Sequence, residues 1–226
     1  MKIPAFFGLT PGPAFVSVVA ALALTALSAH AQSSAPAVPT GSATAIFAGG
    51  CFWCMEQDFE KVPGVIEVES GYTAGWTPNP TYESVSYGET GHTEAVKVIY
   101  DPQKVSYPQL VDYFWHHIDP TVKDRQFCDI GSAYRSGIYW QNDAEREVAE
   151  GSRDVLLKSG QFRNIYTELA PASTFWRAEE YHQDYYKKNP LRYGYYRAAC
   201  GRDARVARIW GTPGEASTGK SFFHFW

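Results

Sequence analysis

Reactive side chains concentrate in one stretch of this chain, Gly49-Gly50-Cys51-Phe52-Trp53-Cys54. A thiol attacks only as thiolate, and the start of a helix, with free backbone N–H groups and the positive end of the dipole, favours that anion. Ala43 to Ala48 reads as a short buried strand, and the Gly49-Gly50 pair permits a sharp turn after it. Cys51 then opens a helix predicted to run to Lys61, stopped by Pro63-Gly64. That position predicts a lowered pKa for Cys51 and nominates it as a nucleophile. Cys54 lies one turn further on; Cα atoms so spaced are about 5–6 Å apart, a separation that a disulfide tolerates.

Three other chemistries use cysteines at this spacing. A structural zinc site needs a second ligand pair, but Cys128 and Cys200 stand alone, and the adjacent His116-His117 on a helix point in different directions. Two structural disulfides in an exported, non-enzymatic domain would consume all four cysteines. A thioredoxin-like thiol–disulfide oxidoreductase also opens a helix with Cys-x-x-Cys after a strand. Its usual tryptophan before the first cysteine is absent here, and Trp53 sits between the two instead.

The elements that must position these groups follow from periodicity. Val65 to Tyr72 alternates as a strand, and a long loop rich in Gly, Pro, Thr and Tyr follows from Gly75 to Gly91. Thr93 to Tyr100 is a strand with Ala95 and Lys97 on one face and Glu94, Val96, Val98 and Tyr100 on the other. Tyr107 to His117 is helical, Arg135 to Trp140 extended, and Asn142 to Lys158 an amphipathic helix capped by Asn142 or Asp143. Ile165 to Leu169 reads as a further strand and Glu179 to Lys188 as a short helix. The order predicts an α+β two-layer sandwich around a mixed sheet. It has a ferredoxin-like β-α-β-β-α-β core and a C-terminal helical and coil extension.

The ends differ in composition from this domain. Residues 1–31 carry Lys2 as their one basic residue, an apolar run from Phe15 to Leu27, and the small-residue pattern Ala29-His30-Ala31. This is the layout of a cleaved secretory signal, the run being short for a bilayer span, and it predicts a periplasmic or secreted product. Residues 32–42 read as a flexible Ser/Ala/Pro linker, 43–200 as one catalytic domain and 201–226 as a tail whose last residues, Lys220 to Trp226, are aromatic. The 226 residues carry 20 Lys plus Arg against 24 Asp plus Glu, a net charge of −4 that argues against nucleic acid as the partner. Nothing in the sequence demands a partner subunit, so a monomer is expected, without stable membrane contact once the signal is removed. The 7 Trp, 15 Tyr and 13 Phe predict pockets walled by rings.

Gly50-Cys51-Phe52-Trp53 with Glu56 resembles the signature of the A-type peptide methionine sulfoxide reductases. The resemblance continues in order through Gly71-Tyr72-Thr73-Ala74-Gly75, Asn79-Pro80-Thr81-Tyr82 and Gly91-His92-Thr93-Glu94-Ala95-Val96. It runs on through Tyr100-Asp101-Pro102 and 129–136, then 178–185 and Lys188-Asn189-Pro190. It implies reduction of methionine sulfoxide to methionine, with one sulfur epimer, the S form, as substrate, in oxidised proteins or as the free amino acid. It also implies Cys51 as nucleophile, with Glu94, Tyr82 and Tyr134 on the polar side of the pocket and Asp129 ordering that cluster. Phe52 and Trp53 would cradle the substrate methyl. The cycle would need no metal or organic cofactor, only an external dithiol such as thioredoxin.

The chain departs from the commonest family pattern in two places. Those members carry Gly at the place of Cys54 and recycling cysteines in a glycine-rich tail; here the tail holds Cys200 alone. Cys54, by proximity, and Cys200, on a tail able to fold over the pocket, are both candidates to resolve a sulfenic acid on Cys51. Cys128 reads as a buried small residue.

Overall fold

The computed structural model describes residues 40–211. The predicted signal at 1–31, most of the linker and the aromatic Lys220–Trp226 segment lie outside the described residues. The first strand, β1 (Ala43–Gly49), leads through Cys51 into α1 (Phe52–Phe59). Then come β2 (Val65–Thr73), α2 (Tyr82–Ser86), β3 (Thr93–Tyr100) and α3 (Tyr107–Trp115). A small hairpin of β4 (Arg125–Gln126) and β5 (Asp129–Ile130) precedes a 3-10 turn at Ser132–Tyr134 and β6 (Ser136–Trp140). The chain continues through α4 (Asp143–Lys158), β7 (Glu168–Pro171) and β8 (Trp176–Arg177). It closes with α5 (Tyr185–Lys188), α6 (Pro190–Cys200) and α7 (Arg202–Trp210).

The main sheet runs β7-β6-β1-β3-β2-β8. All neighbours are antiparallel except β6 with β7, so the sheet is mixed as predicted. Its four inner strands, β6-β1-β3-β2, carry the β-α-β-β-α-β order. Alternation assigns the two faces. Phe47, Val96 and Val98 point into the large core, where the Phe47 ring stacks on Phe59 and Phe114 at centroid distances of 5.0 and 5.2 Å. Ile46, Ala48, Ala95 and Tyr139 form a second buried cluster on the other face, beneath the segment carrying Ala172 and Phe175. Lys97, on that same face, is paired with Glu69 and lies over the Phe175 ring.

Several expectations need correction. The 75–91 segment is not all loop: Thr81 and Ser84 form a reciprocal capping box that starts α2 at Tyr82. The helix expected over 179–188 is regular only from Tyr185 to Lys188, because Asp184 adopts a left-handed backbone (φ 52°) that breaks it. Strand β7 begins at Glu168 rather than Ile165, and the tail opens with the helix α7, which runs through Trp210. Cys128 is exposed rather than buried, and it forms a disulfide with Cys200. Arg135 pairs with Glu168 at 2.8 Å and donates to the carbonyls of Ala74 and Gly91.

Candidate active site

The site forms at the end of the sheet where β1 finishes and β3 and β6 begin, as the pairings Phe47↔Val96 and Gly49↔Ser136 require. Gly50 turns the chain with φ 81°, and a Cβ there would strike the Gln126 side chain of the hairpin. Cys51 is the N-cap of α1, yet no side chain caps that helix from within its own segment. Instead the Phe52 N–H donates to Glu94 Oε2 at 2.9 Å, across from β3. One orphan donor of the helix start is thus satisfied by a carboxyl from the neighbouring strand. Thr93 Oγ1, one residue earlier, donates to the Ala133 carbonyl at 3.0 Å and fixes the turn that carries Tyr134.

A small cavity of about 60 Å³ is lined by Cys51, Phe52, Trp53, Tyr82, Glu94, Asp129, Tyr134 and Tyr196. It has room for the methylsulfinyl end of a side chain, not for a whole organic cofactor. Seven of these eight are the residues nominated from sequence. Tyr196, on α6, was missed, because the motif set ends at Pro190; its hydroxyl donates to Asp129 Oδ2 at 2.6 Å and its side chain lines the cavity with Cys51. Tyr185 was missed too: its ring stacks on Trp53 at 3.7 Å and 7°. Opposite, the Trp53 indole N–H donates to His182 Nδ1 at 3.0 Å, so the indole wall is held from face and edge. Burial pushes His182 down to about 4, which keeps it a neutral acceptor. Glu179 secures Tyr82 by accepting its backbone N–H at 2.8 Å.

Electrostatics divide the roles. Burial holds the Glu94 carboxyl well above the usual carboxylate range; the Phe52 N–H opposes this, and the charges of Asp129 and Cys54 add to it. Burial therefore favours the protonated form of Glu94. Burial also raises Tyr82 and Tyr134, with Glu94 the next cause, so both phenols stay protonated donors. The Cys51 thiol departs from expectation. Burial pushes it up, with its hydrogen bond to Cys54 and the charges of Cys54 and Glu94 adding, and only the Tyr196 hydroxyl acts the other way. The helix start is outweighed by enclosure among aromatic rings. Cys54 behaves oppositely, lowered to about 7 by its hydrogen bond from Cys51 and then, against burial, by Arg202 and Arg197.

Cys51 and Cys54 are free thiols and both buried. Cys200 is bonded to Cys128, the two Cα atoms being 5.0 Å apart, and this bridge fastens the end of α6 to the hairpin that carries Asp129. His92 has a structural role: its Nδ1 accepts the Gly75 N–H and its Nε2 lies 2.8 Å from the Thr77 carbonyl.

A buried free thiol, a buried carboxyl of raised pKa and two neutral phenols around an apolar wall define a thiol-dependent oxidoreductase on a ferredoxin-like α+β scaffold. The family model described as peptide methionine sulfoxide reductase matches residues 43–213, and the chain belongs to that family, in its A-type branch. Over 168 residues, 74% of this chain and 85% of the relative, it is 51% identical to peptide methionine sulfoxide reductase MsrA 2 of Caulobacter vibrioides. It is 49% identical to MsrA of Bacillus licheniformis over 74% of this chain and 93% of that one. The solved methionine sulfoxide reductase A of Corynebacterium diphtheriae superposes with a TM-score of 0.61 at 38% identity, covering 68% of this chain and 77% of that one. The chain is thus an oxidoreductase that reduces methionine sulfoxide.

Proposed function

We propose that this enzyme reduces the S epimer of methionine sulfoxide, in oxidised proteins and as the free amino acid, with Cys51 as nucleophile, Cys54 as resolving thiol and an external dithiol of the thioredoxin type as final reductant. One observation carries the reading: the free Cys51 thiol and the buried Glu94 carboxyl line the same small aromatic cavity.

The Cys51 sulfur attacks the sulfoxide sulfur while Glu94 gives its proton to the sulfoxide oxygen, assisted by hydrogen bonds from Tyr82 and Tyr134. The proton leaving Cys51 replaces the one spent by Glu94. Attack joins the two sulfurs with the protonated oxygen still on the substrate sulfur. The hydroxyl then passes to the Cys51 sulfur, and the substrate S–O bond and the S–S bond break. Methionine departs and Cys51 is left as a sulfenic acid, the substrate sulfur gaining the two electrons that Cys51 loses. Cys54 then attacks the sulfenic sulfur, the S–O bond breaks, water leaves and the Cys51–Cys54 disulfide forms. A dithiol reduces it by exchange. Thiols supply every electron, so no metal or organic cofactor is used.

Stereoselectivity follows from three fixed directions. The methyl lies against Phe52 and Trp53, the oxygen faces Glu94 and the tyrosines, and the sulfur faces Cys51, so the mirror-image sulfoxide misplaces a group. The S hand is carried over from the family. Reading residues 1–31 as an export signal places the repair in the periplasm or outside the cell. Incubation of N-blocked methionine S- and R-sulfoxides with dithiothreitol tests the proposal. Consumption of the S form alone is expected; equal consumption of both, or of neither, contradicts it.

A further inference from the structure

Helices α6 and α7 lie beyond the motifs that carry the chemistry at Cys51, yet they place two guanidinium groups on Asp58, one helical turn after the second thiol. Cys54 packs in a buried cluster with Cys51, Tyr185 and Tyr193. The Tyr193 hydroxyl donates to Gln57 Oε1 at 2.7 Å and accepts from Arg197 Nη1 at 3.0 Å. Arg197 also grips Asp58 at 3.0 Å and Asp203 at 2.6 Å. Arg202 is 2% exposed; it donates to the carbonyls of Gly49 and His117 and lies 3.6 Å from Asp58. Buried cations are costly unless they are paired and put to use. Asp58 and Asp203 supply the pairing.

We propose that Tyr193, Arg197 and Arg202 are positioning residues for the resolving step, the tyrosine hydroxyl hydrogen-bonding the Cys54 sulfur and the two guanidinium groups favouring its anion. This rests on Cys54 as the resolving thiol. The groups facing Cys54 are Cys51 at the N-cap of α1, Asp58 from α1, Glu94 from β3, Tyr185 from α5, Tyr193 and Arg197 from α6 and Arg202 from α7. In the resting enzyme the Cys51 thiol is the first cause of the lowered Cys54 value. Oxidation of Cys51 to its sulfenic acid removes that S–H donor at the moment Cys54 must act. The arginines and Tyr193 remain. Tyr193 can then turn its proton from Gln57 to the sulfur, since Arg197 Nη1 also donates to Gln57 Oε1 at 3.3 Å. Cys54 loses its proton, its sulfur bonds to that of Cys51, and the oxygen leaves Cys51 with that proton and its own as water.

Single-turnover reactions with N-blocked methionine S-sulfoxide separate the two steps: methionine release reports the first, and loss of sulfenic acid, trapped with dimedone and read by mass spectrometry, reports the second. In Arg197→Gln and Tyr193→Phe, disulfide formation at pH 7 should slow about fivefold, the loss of thiolate when Cys54 moves up by one pH unit from about 7, and its pH midpoint should rise. Methionine release in the same reaction should keep its rate, which certifies the fold. Arg197→Lys should restore most of the midpoint. An unshifted midpoint and rate in both variants, with Cys54→Ser still accumulating sulfenic acid, overturns the proposal alone. Normal disulfide formation in Cys54→Ser overturns the underlying assignment and the proposal with it.

Discussion

The backbone N–H of Phe52 donates to Glu94 Oε2 at 2.9 Å, so the carboxyl of the pocket is tied to the residue directly after Cys51. One hydrogen bond sets the distance between acid and attacking sulfur, satisfies a helix-start donor and joins α1 to β3. Burial outweighs this tie and keeps the carboxyl above the usual carboxylate range.

Glu94→Gln keeps an oxygen for the Phe52 N–H but removes the proton. The first turnover should fall by about 10²-fold, within the range of a lost general acid, while substrate affinity changes little. The raised pKa gives the sign of the pH dependence. The wild-type first-turnover rate is retained while Glu94 is protonated and is lost as pH climbs through its raised value; the glutamine variant should lack that descending limb. Rapid-quench assays across pH measure both.

Cys54→Ser should release one methionine per enzyme and then stall with a thioredoxin-type dithiol as reductant. Turnover at the normal rate would return the resolving role to another thiol.

The Cys128–Cys200 bridge closes a separation of 72 residues. If it is a strut, the Cys128→Ser/Cys200→Ser double variant should cycle at close to the wild-type rate but lose stability, by up to about 4 kcal/mol on the loop-entropy model. Chemical denaturation against steady-state turnover separates the two effects. Failure to cycle in a folded double variant would place Cys200 in the electron path.

Glu56 is buried beneath the site, accepts the Asp184 N–H at 2.9 Å and the Ser70 hydroxyl at 3.2 Å, and is pushed up to about 7 by burial. A carboxyl raised on folding stabilises the protein fully below its unfolded value, near 4.5, and loses that contribution as pH rises through about 7. Stability should decline between pH 5 and 8 by on the order of 3 kcal/mol, and Glu56→Gln should flatten the decline. Urea unfolding at the two pH values measures it.

The path from β1 through β3 was legible in the sequence because each boundary is punctuated: Gly49-Gly50 before Cys51, Pro63-Gly64 after α1, and strict alternation along 93–100. The motif residues Cys51, Phe52, Trp53, Tyr82, Glu94, Asp129 and Tyr134 duly share one cavity. What stayed hidden is non-local. Two-residue strands such as β4, β5 and β8 have no period to read, and the pairing of Cys128 with Cys200 is set by where α6 docks. α2 left a readable signal, the Thr81-x-x-Ser84 cap, within a segment whose composition resembled loop. The direction of the Cys51 shift was lost because a helix start is visible in sequence, whereas enclosure by Trp53, Tyr185 and Tyr196 is not. Tyr196 itself belongs to a helix the motifs do not reach.

The most direct test of the central claim counts methionine and thiols together in one turnover without added reductant. Pre-reduced enzyme, with the Cys128–Cys200 bridge intact, is mixed with excess N-blocked methionine S-sulfoxide. The account predicts one methionine formed and two thiols lost per chain, those of Cys51 and Cys54, and no methionine from Cys51→Ser. Methionine formation by Cys51→Ser, or one methionine per wild-type chain with both thiols still free, would contradict it.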